Sequence, residues 1–214
     1  MTMTRAVIFD MDGLLTDSER IGVSGIQACG RLQGLDIPEA FILQTLGATS
    51  AHSGALYRAN FPGIDVARLF EDFRVYMHGK AERGEIPLKK GALALLDALD
   101  ARGVPCAVAS SSMRETVRLY LDKAGVLGRF AAVVTGGGRL PSKPAPDIFL
   151  EAARHLGVMP AHCLALEDSA NGVRAGRAAG MRVGMVPDLI PFSPALAPYC
   201  DFVADDLSRV IPLL

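Results

Sequence analysis

Five short apolar runs constrain this chain more than any other feature: "AVIFD" (6–10), "VPCAVAS" (104–110), "AAVVT" (131–135), "HCLALE" (162–167) and "RVGMV" (182–186). Each reads as a β-strand, and helical patterns lie between them. In "GALALLDALDA" (91–101), Ala92, Leu95, Leu96 and Leu99 follow i, i+3, i+4, i+7 spacing. Segments 113–123 and 146–156 have similar mixed faces, and 170–179 is rich in small residues that allow close packing on a sheet. Strands alternating with helices of this length predict βαβ units and a parallel sheet, a Rossmann-like three-layer α/β core.

Residues 18–83 break the rhythm. They hold no convincing strand, but Val66, Leu69, Phe70, Phe73 and Met77 form one apolar helical stripe, read as core packing. The segment reads as a helical insertion after the first strand that rejoins near "GEIPLKKGA" (84–92). The expected division is a core of 1–16 and 85–214 with a helical domain of 17–84. "GGGRLPSKPAP" (136–146) is a loop by composition, and the proline-bearing tail after Pro187 is expected to wrap the surface largely without helix until the last residues.

Composition narrows the partners. The chain has 214 residues, 50% hydrophobic and 21% charged, with a formal net charge of −1 and no long basic run. That predicts a soluble globular protein with neither a nucleic-acid nor a membrane surface. The apolar run before Asp10 is too short for a signal-peptide core or a membrane span. Cys29, Cys106, Cys163 and Cys200 are scattered without a CxxC pair, and the four histidines are isolated. Reduced, mostly buried thiols in a cytoplasmic protein are the expectation, and a zinc site is not.

The chemistry gathers where the strands stop. In an open parallel sheet, ligands bind beyond the carboxyl ends of the strands. The first run ends in Asp10, Asp12 and Gly13, the second in "SSSM" (110–113), the third leads to Lys143 in "SKPAPD", and the fourth ends in "EDSANG" (167–172). Asp10 and Asp168 are hard oxygen donors suited to Mg²⁺, which also explains how carboxylates converge without prohibitive repulsion. Ser110 and the amides after it suit phosphate oxygens at a helix N-terminus, and Lys143 adds positive charge. Anion, metal and carboxylate nucleophile together point to phosphoryl transfer through an aspartyl-phosphate.

"FDMDGLLTDSE", "AVASSSM", "SKPAPDIF" and "LALEDSANGV" resemble, in order and spacing, the four motifs of the haloacid dehalogenase superfamily, most nearly its β-phosphoglucomutase-like phosphatase branch. The resemblance covers nearly the whole chain. It implies a four-helix cap over a Rossmann-like core and Mg²⁺-dependent phosphoryl transfer. By motif, Asp10 matches the nucleophile and Asp12 the general acid and base. Ser110 with the Ser111 amide, and Lys143, match the phosphate-binding positions. Mg²⁺ is then held by Asp10, the Asp12 carbonyl and Asp168, with Glu167 as an outer or alternate ligand. Ser169 and Asn171 are expected to support these groups.

Departures from the pattern bear on the reaction. Leu14 stands where the family usually has threonine or valine. Gly22 occupies the place of the histidine that β-phosphoglucomutase uses in its mutase cycle, and "LGATSAH" offers Ser50 or Ala51 instead of its phosphate-gripping arginine. Arg20, Arg58 and Arg74 read as solvated surface residues. Hydrolysis of a small phosphomonoester, a sugar phosphate by preference, is therefore expected over a mutase. A dehalogenase has no use for Asp12, and a phosphonate hydrolase needs a special cap lysine where only Lys80 is available. A non-catalytic binding module would be expected to have lost an acid or the lysine. The expected protein is a monomer acting on a small phosphorylated metabolite.

Overall fold

The structure is a computed structural model that describes residues 3–136 and 140–214. Part of the 136–146 loop expected from composition therefore lies outside the described residues. Six strands, β1 (Ala6–Phe9), β2 (Cys106–Ser110), β3 (Ala132–Thr135), β4 (Cys163–Glu167), β5 (Arg182–Met185) and β6 (Phe202–Val203), form one sheet in the order β3-β2-β1-β4-β5-β6. Every pairing is parallel. This is the Rossmann order, with β1 and β4 at the point where the winding reverses.

Alternate strand residues face opposite layers. Val7, Phe9, Cys106, Val108, Leu164 and Leu166 pack with Leu95, Leu96 and Leu99 of α5 (Ala92–Ala101) and with Val117, Tyr120 and Leu121 of α6 (Arg114–Lys123). Ala6, Ile8, Ala107, Ala109, Cys163 and Ala165 face α7 (Asp147–Leu156) and α8 (Ala170–Ala178), through Phe149, Ala152, Val173 and Ala175. With both faces covered, the strands carry no polar alternation, and each fully buried Leu or Phe contributes roughly 1.5–3 kcal/mol. The small side chains of α8 let it lie close to the sheet: a Cβ at Gly176 would stand 3.0 Å from the Ala165 side chain.

Four helices, α1 (Ser18–Leu32), α2 (Glu39–Leu43), α3 (Ser50–Asn60) and α4 (Val66–Glu82), lie between β1 and α5 in sequence. Asp65 caps α4 by accepting from the Arg68 amide, and Thr49 caps α3 through the His52 amide. The four share a separate cluster of Val23, Ile26, Cys29, Ile37, Ile42, Tyr57, Val66 and Leu69. Phe73 touches both this cluster and the sheet layer beneath it. The chain leaves and rejoins the sheet side by side. Thr16 and Leu88 form an antiparallel bridge, the Asp17 amide donates to Pro87 O, and the Lys89 amide donates to Leu15 O.

The tail differs from expectation. It contributes a sixth strand, paired with Gly184 and Met185, and a 3-10 segment (Leu207–Leu213) whose Leu207 and Val210 are buried under the sheet. Two residues are too few to show a period in sequence, and prolines at 191, 194 and 198 mask them. No helix among the described residues is long and apolar enough to cross a membrane. All four cysteines are free, with Cys106 and Cys163 buried in strands.

Candidate active site

The carboxyl ends of β1, β2 and β4 converge on one lysine. Lys143 Nζ donates to Asp10 Oδ1 and Glu167 Oε1, each at 2.5 Å, and to Ala109 O at 3.0 Å. Its three donors are thus committed, and the ammonium lies 5.0 Å from the centre of the Phe149 ring. Burial alone would lower this ammonium, but Asp10 and Glu167 hold it above the ordinary lysine range. Glu167 has no exposed surface. Its second oxygen accepts from the Ser169 amide and hydroxyl, and Ser169 also caps α8 by accepting from the Gly172 amide.

Asp168 is treated differently. It is 6% exposed, and no hydrogen bond or ion pair to its carboxylate occurs among the described residues. One oxygen each from Asp10, Glu167 and Asp168 lie within 4.8 Å of one another. Burial first, then Glu167 and Asp10, raise the Asp168 carboxyl well above the usual range. Burial also outweighs Lys143 at Asp10, pushing it up to about 8. One buried lysine among three buried carboxylates leaves a charge deficit, and hard oxygen donors so grouped suit a divalent cation.

Asp12 faces another way. Its Oδ1 accepts from the Ser18 hydroxyl at 2.7 Å, and its Oδ2 from Ser112 at 2.7 Å and Ser110 at 3.4 Å. Gly13 makes this turn possible with φ of +81°, and a Cβ there would stand 2.4 Å from Asp168 Oδ2. The structure therefore brings Asp10, Asp12, Ser110, Lys143, Glu167 and Asp168 together at one rim. Ser110 is fully buried and accepts from the Ser112 amide, whereas Ser111 is exposed. Ser111 and Lys143 line a cavity of about 50 Å³ with Gly136, Ser142 and Ile148. Asn171 reaches outward to donate to Gly47 O at 3.1 Å.

Three neighbours were not singled out from sequence. Ser18 and Ser112 hold Asp12, and Glu19 lies beside Gly13 with its Cδ 3.1 Å from that same Cβ point. Burial, with Asp188 and Asp12 close by, pushes Glu19 up to about 7. The run "SSS" signals a hydroxyl cluster, but which hydroxyl turns toward Asp12 depends on the backbone after β2. Several cations of the helical segment pair with carboxylates, although Arg58 has no ion pair among the described residues. Arg20 pairs with Asp17 and Asp188, Arg74 with Glu71, and Lys80 with Glu85. Gly22 lies against Phe73, 3.5 Å from where its Cβ would be.

Comparison with known proteins agrees with this geometry. The family description of haloacid dehalogenase-like hydrolases matches residues 4–180. Protein CbbY of Rhodobacter capsulatus is 32% identical over 197 residues, spanning 86% of this chain and 85% of that protein. Hexitol phosphatase B of Escherichia coli is 33% identical over 184 residues, spanning 85% and 83%. A haloacid dehalogenase family hydrolase of Deinococcus radiodurans, solved with bound phosphate and sodium, superposes with a TM-score of 0.81 at 27% identity over 98% of this chain and 94% of that one. Acids at the ends of two strands, hydroxyls at a third and a lysine from the loop beyond a fourth, on a sheet wound in this order and matched along most of its length, place this chain in the haloacid dehalogenase-like hydrolase family.

Proposed function

We propose that the protein is a Mg²⁺-dependent phosphatase that hydrolyses a small phosphomonoester, of the sugar phosphate class, through an aspartyl-phosphate on Asp10. The observation that carries this reading is the Asp10–Lys143–Glu167–Asp168 cluster, two buried carboxylates paired with one lysine and a third left without a partner among the described residues, beside a separately held fourth acid, Asp12. Relatives named as phosphatases support it.

Asp10, Asp168 and the Asp12 carbonyl would hold the cation, with Glu167 as an outer ligand. The cation supplies counter-charge to the carboxylates and to the substrate phosphate. Lys143 pins Asp10 by Oδ1, and Oδ2 carries no hydrogen bond among the described residues. Attack by that oxygen forms the new P–O bond as the bond to the alcohol breaks. Asp12 gives its proton to the departing oxygen, then takes one from the water that attacks phosphorus and releases phosphate from Asp10. Ser18 and Ser112 keep Asp12 off Asp10 and aimed at the leaving-group side. Ser110, the Ser111 amide and Lys143 bind the phosphoryl oxygens.

In this reading residues 1–16 and 85–214 are the catalytic core and 17–84 a four-helix cap, supported by the cap's own hydrophobic cluster. Engagement of Arg20 and Arg74 by carboxylates favours hydrolysis over a mutase, which must grip a second phosphate. The free thiols suit the reducing cytoplasm, and a site assembled from one chain's own residues suits a monomer. The test is phosphate release from a panel of phosphorylated metabolites with Mg²⁺, in wild type and Asp10→Asn. Loss of turnover by at least a thousandfold in the variant is expected. Turnover retained in Asp10→Asn, or an isomerised product in place of free phosphate, refutes the reading.

A further inference from the structure

Two parts of the chain meet around one buried carboxylate, Asp188, just past the end of β5. Its side chain is 1% exposed, and its Oδ1 accepts from two cations of different origin. Lys89 Nζ, at 2.6 Å, belongs to the return crossing, whose backbone is tied to the core by the Lys89 amide donating to the carbonyl of buried Leu15. Arg20 Nη2, at 2.9 Å, comes from the start of α1, on the helical segment. Both cations also reach Asp17, Arg20 at 3.3 Å and Lys89 at 3.2 Å. Asp188 Oδ2 is buried without a partner among the described residues, so the charge rests on these two cations. Other contacts between the two parts differ in kind. Asn171 donates to Gly47 O, Leu189 packs on the helical cluster, and Lys123 pairs with Glu82 where both side chains are open to solvent.

The space beside Lys143 is about 50 Å³, whereas small-molecule pockets run to about 300–1,000 Å³. A phosphorylated metabolite therefore enters and leaves only when the helical segment swings away from the rim. That separation parts Arg20 from Asp188, but Arg20 keeps Asp17, the residue just before its own helix. Lys89 stays with Asp188, because its backbone is fixed on the core side. Leaving a buried carboxylate with no counter-charge is strongly unfavourable, whereas giving up one of two partners costs little. We propose that Arg20 and Asp188 form a releasable latch between helical cap and core, and that Lys89 is the standing counter-charge that permits its release. This rests on the division into core and cap proposed above. All three are positioning residues, which act through the pose of the cap and not on the reacting atoms.

Removing the two cations should act in opposite directions, which a merely stabilising role does not produce. Opening is read by deuterium uptake at the half-buried Ser112 and Ser169 amides, which donate to Ser110 Oγ and Glu167 Oε2 at the rim. Arg20→Gln should speed uptake about fivefold and raise KM for p-nitrophenyl phosphate at saturating Mg²⁺ by about the same factor, with kcat undiminished. Lys89→Met should slow uptake and lower kcat, each by about tenfold, with KM falling as well, because opening then strands Asp188. Lys89→Arg should restore the wild-type values. Should Lys89→Met fail to fold, Asp188→Asn supplies the second arm: with no charge left to hold, adding Arg20→Gln should change neither uptake nor KM. Faster uptake in both cation variants, uptake unmoved by Arg20→Gln, or a full Arg20→Gln effect in the Asp188→Asn background overturns the latch. Opposed uptake without phosphate release from any phosphomonoester supports the latch and refutes the phosphatase reading instead.

Discussion

Replacing Gly172 by alanine should destabilise the protein, against the ordinary rule for helices. Alanine in place of glycine in a helix usually gains about 0.5–1 kcal/mol from reduced chain entropy. At Gly172, in the first turn of α8, the new Cβ would fall 1.8 Å from Glu167 Cδ and 2.0 Å from each of its oxygens. Contact between carbon atoms is comfortable only near 3.5 Å, so the carboxyl must retreat by roughly 1.5 Å. That breaks the bonds from Lys143 and Ser169 that hold Glu167. Overpacking costs about 1–3 kcal/mol, and disrupting a buried ion pair on one side about 3–5 kcal/mol. The net expectation is a loss of about 3 kcal/mol or more. For a chain of 214 residues each kcal/mol is worth about 2 °C, so calorimetry should show Tm falling by about 6–10 °C. Gly128, with nothing within 4 Å of its Cβ position, is the control, and Gly128→Ala should leave Tm within about 2 °C of wild type. A Gly172→Ala protein as stable as wild type would show that Glu167 is not held as described.

Two further predictions concern charge. Asp10 and Asp168 have raised carboxyls in the folded state, so the folded chain binds more protons than the unfolded one between about pH 4 and about pH 8. Stability of the chelated protein should therefore fall as pH rises through that window, by at most about 1.4 kcal/mol per unit for each group. Melts in EDTA should show this slope and Mg²⁺ should restore Tm at about pH 8; a flat profile, or no response to Mg²⁺, contradicts the cluster as described. Lys89→Met strips the nearly buried Asp188 of its 2.6 Å partner and should cost about 1–3 kcal/mol, read by urea unfolding. The double change Lys89→Met with Asp188→Leu should recover part of that loss, and strictly additive costs would dismiss the coupling.

The sheet was legible because a parallel strand covered on both faces announces itself as a continuous apolar run. "AVIFD" and "HCLALE" pair in register over Ala6–Phe9 and Cys163–Leu166. The rim was legible for a related reason: its acids and hydroxyls interrupt apolar stretches at their ends, and its lysine follows the third stretch in a loop marked by glycine and proline. Strand β6 was not, since two residues between prolines have no period. Ser18, Ser112 and Glu19 were not either, because their roles follow from the turn at Gly13 and the reversal after β2 rather than from local pattern. The Lys89–Asp188 pair spans 99 residues with no motif at either end, and only the packed structure brings it together.

The two adjacent crossings at Thr16 and Leu88 have an evolutionary consequence. A segment whose ends are hydrogen-bonded to each other closes on itself, so its internal length and sequence can change without shifting the register of any strand. Substitutions among the four helices are then free to explore new contents while the reacting groups, all but Ser18 and Glu19 on the other side of those crossings, stay fixed. Descendants of such a chain can acquire new substrates by exchanging one excursion, with the chemistry inherited unchanged.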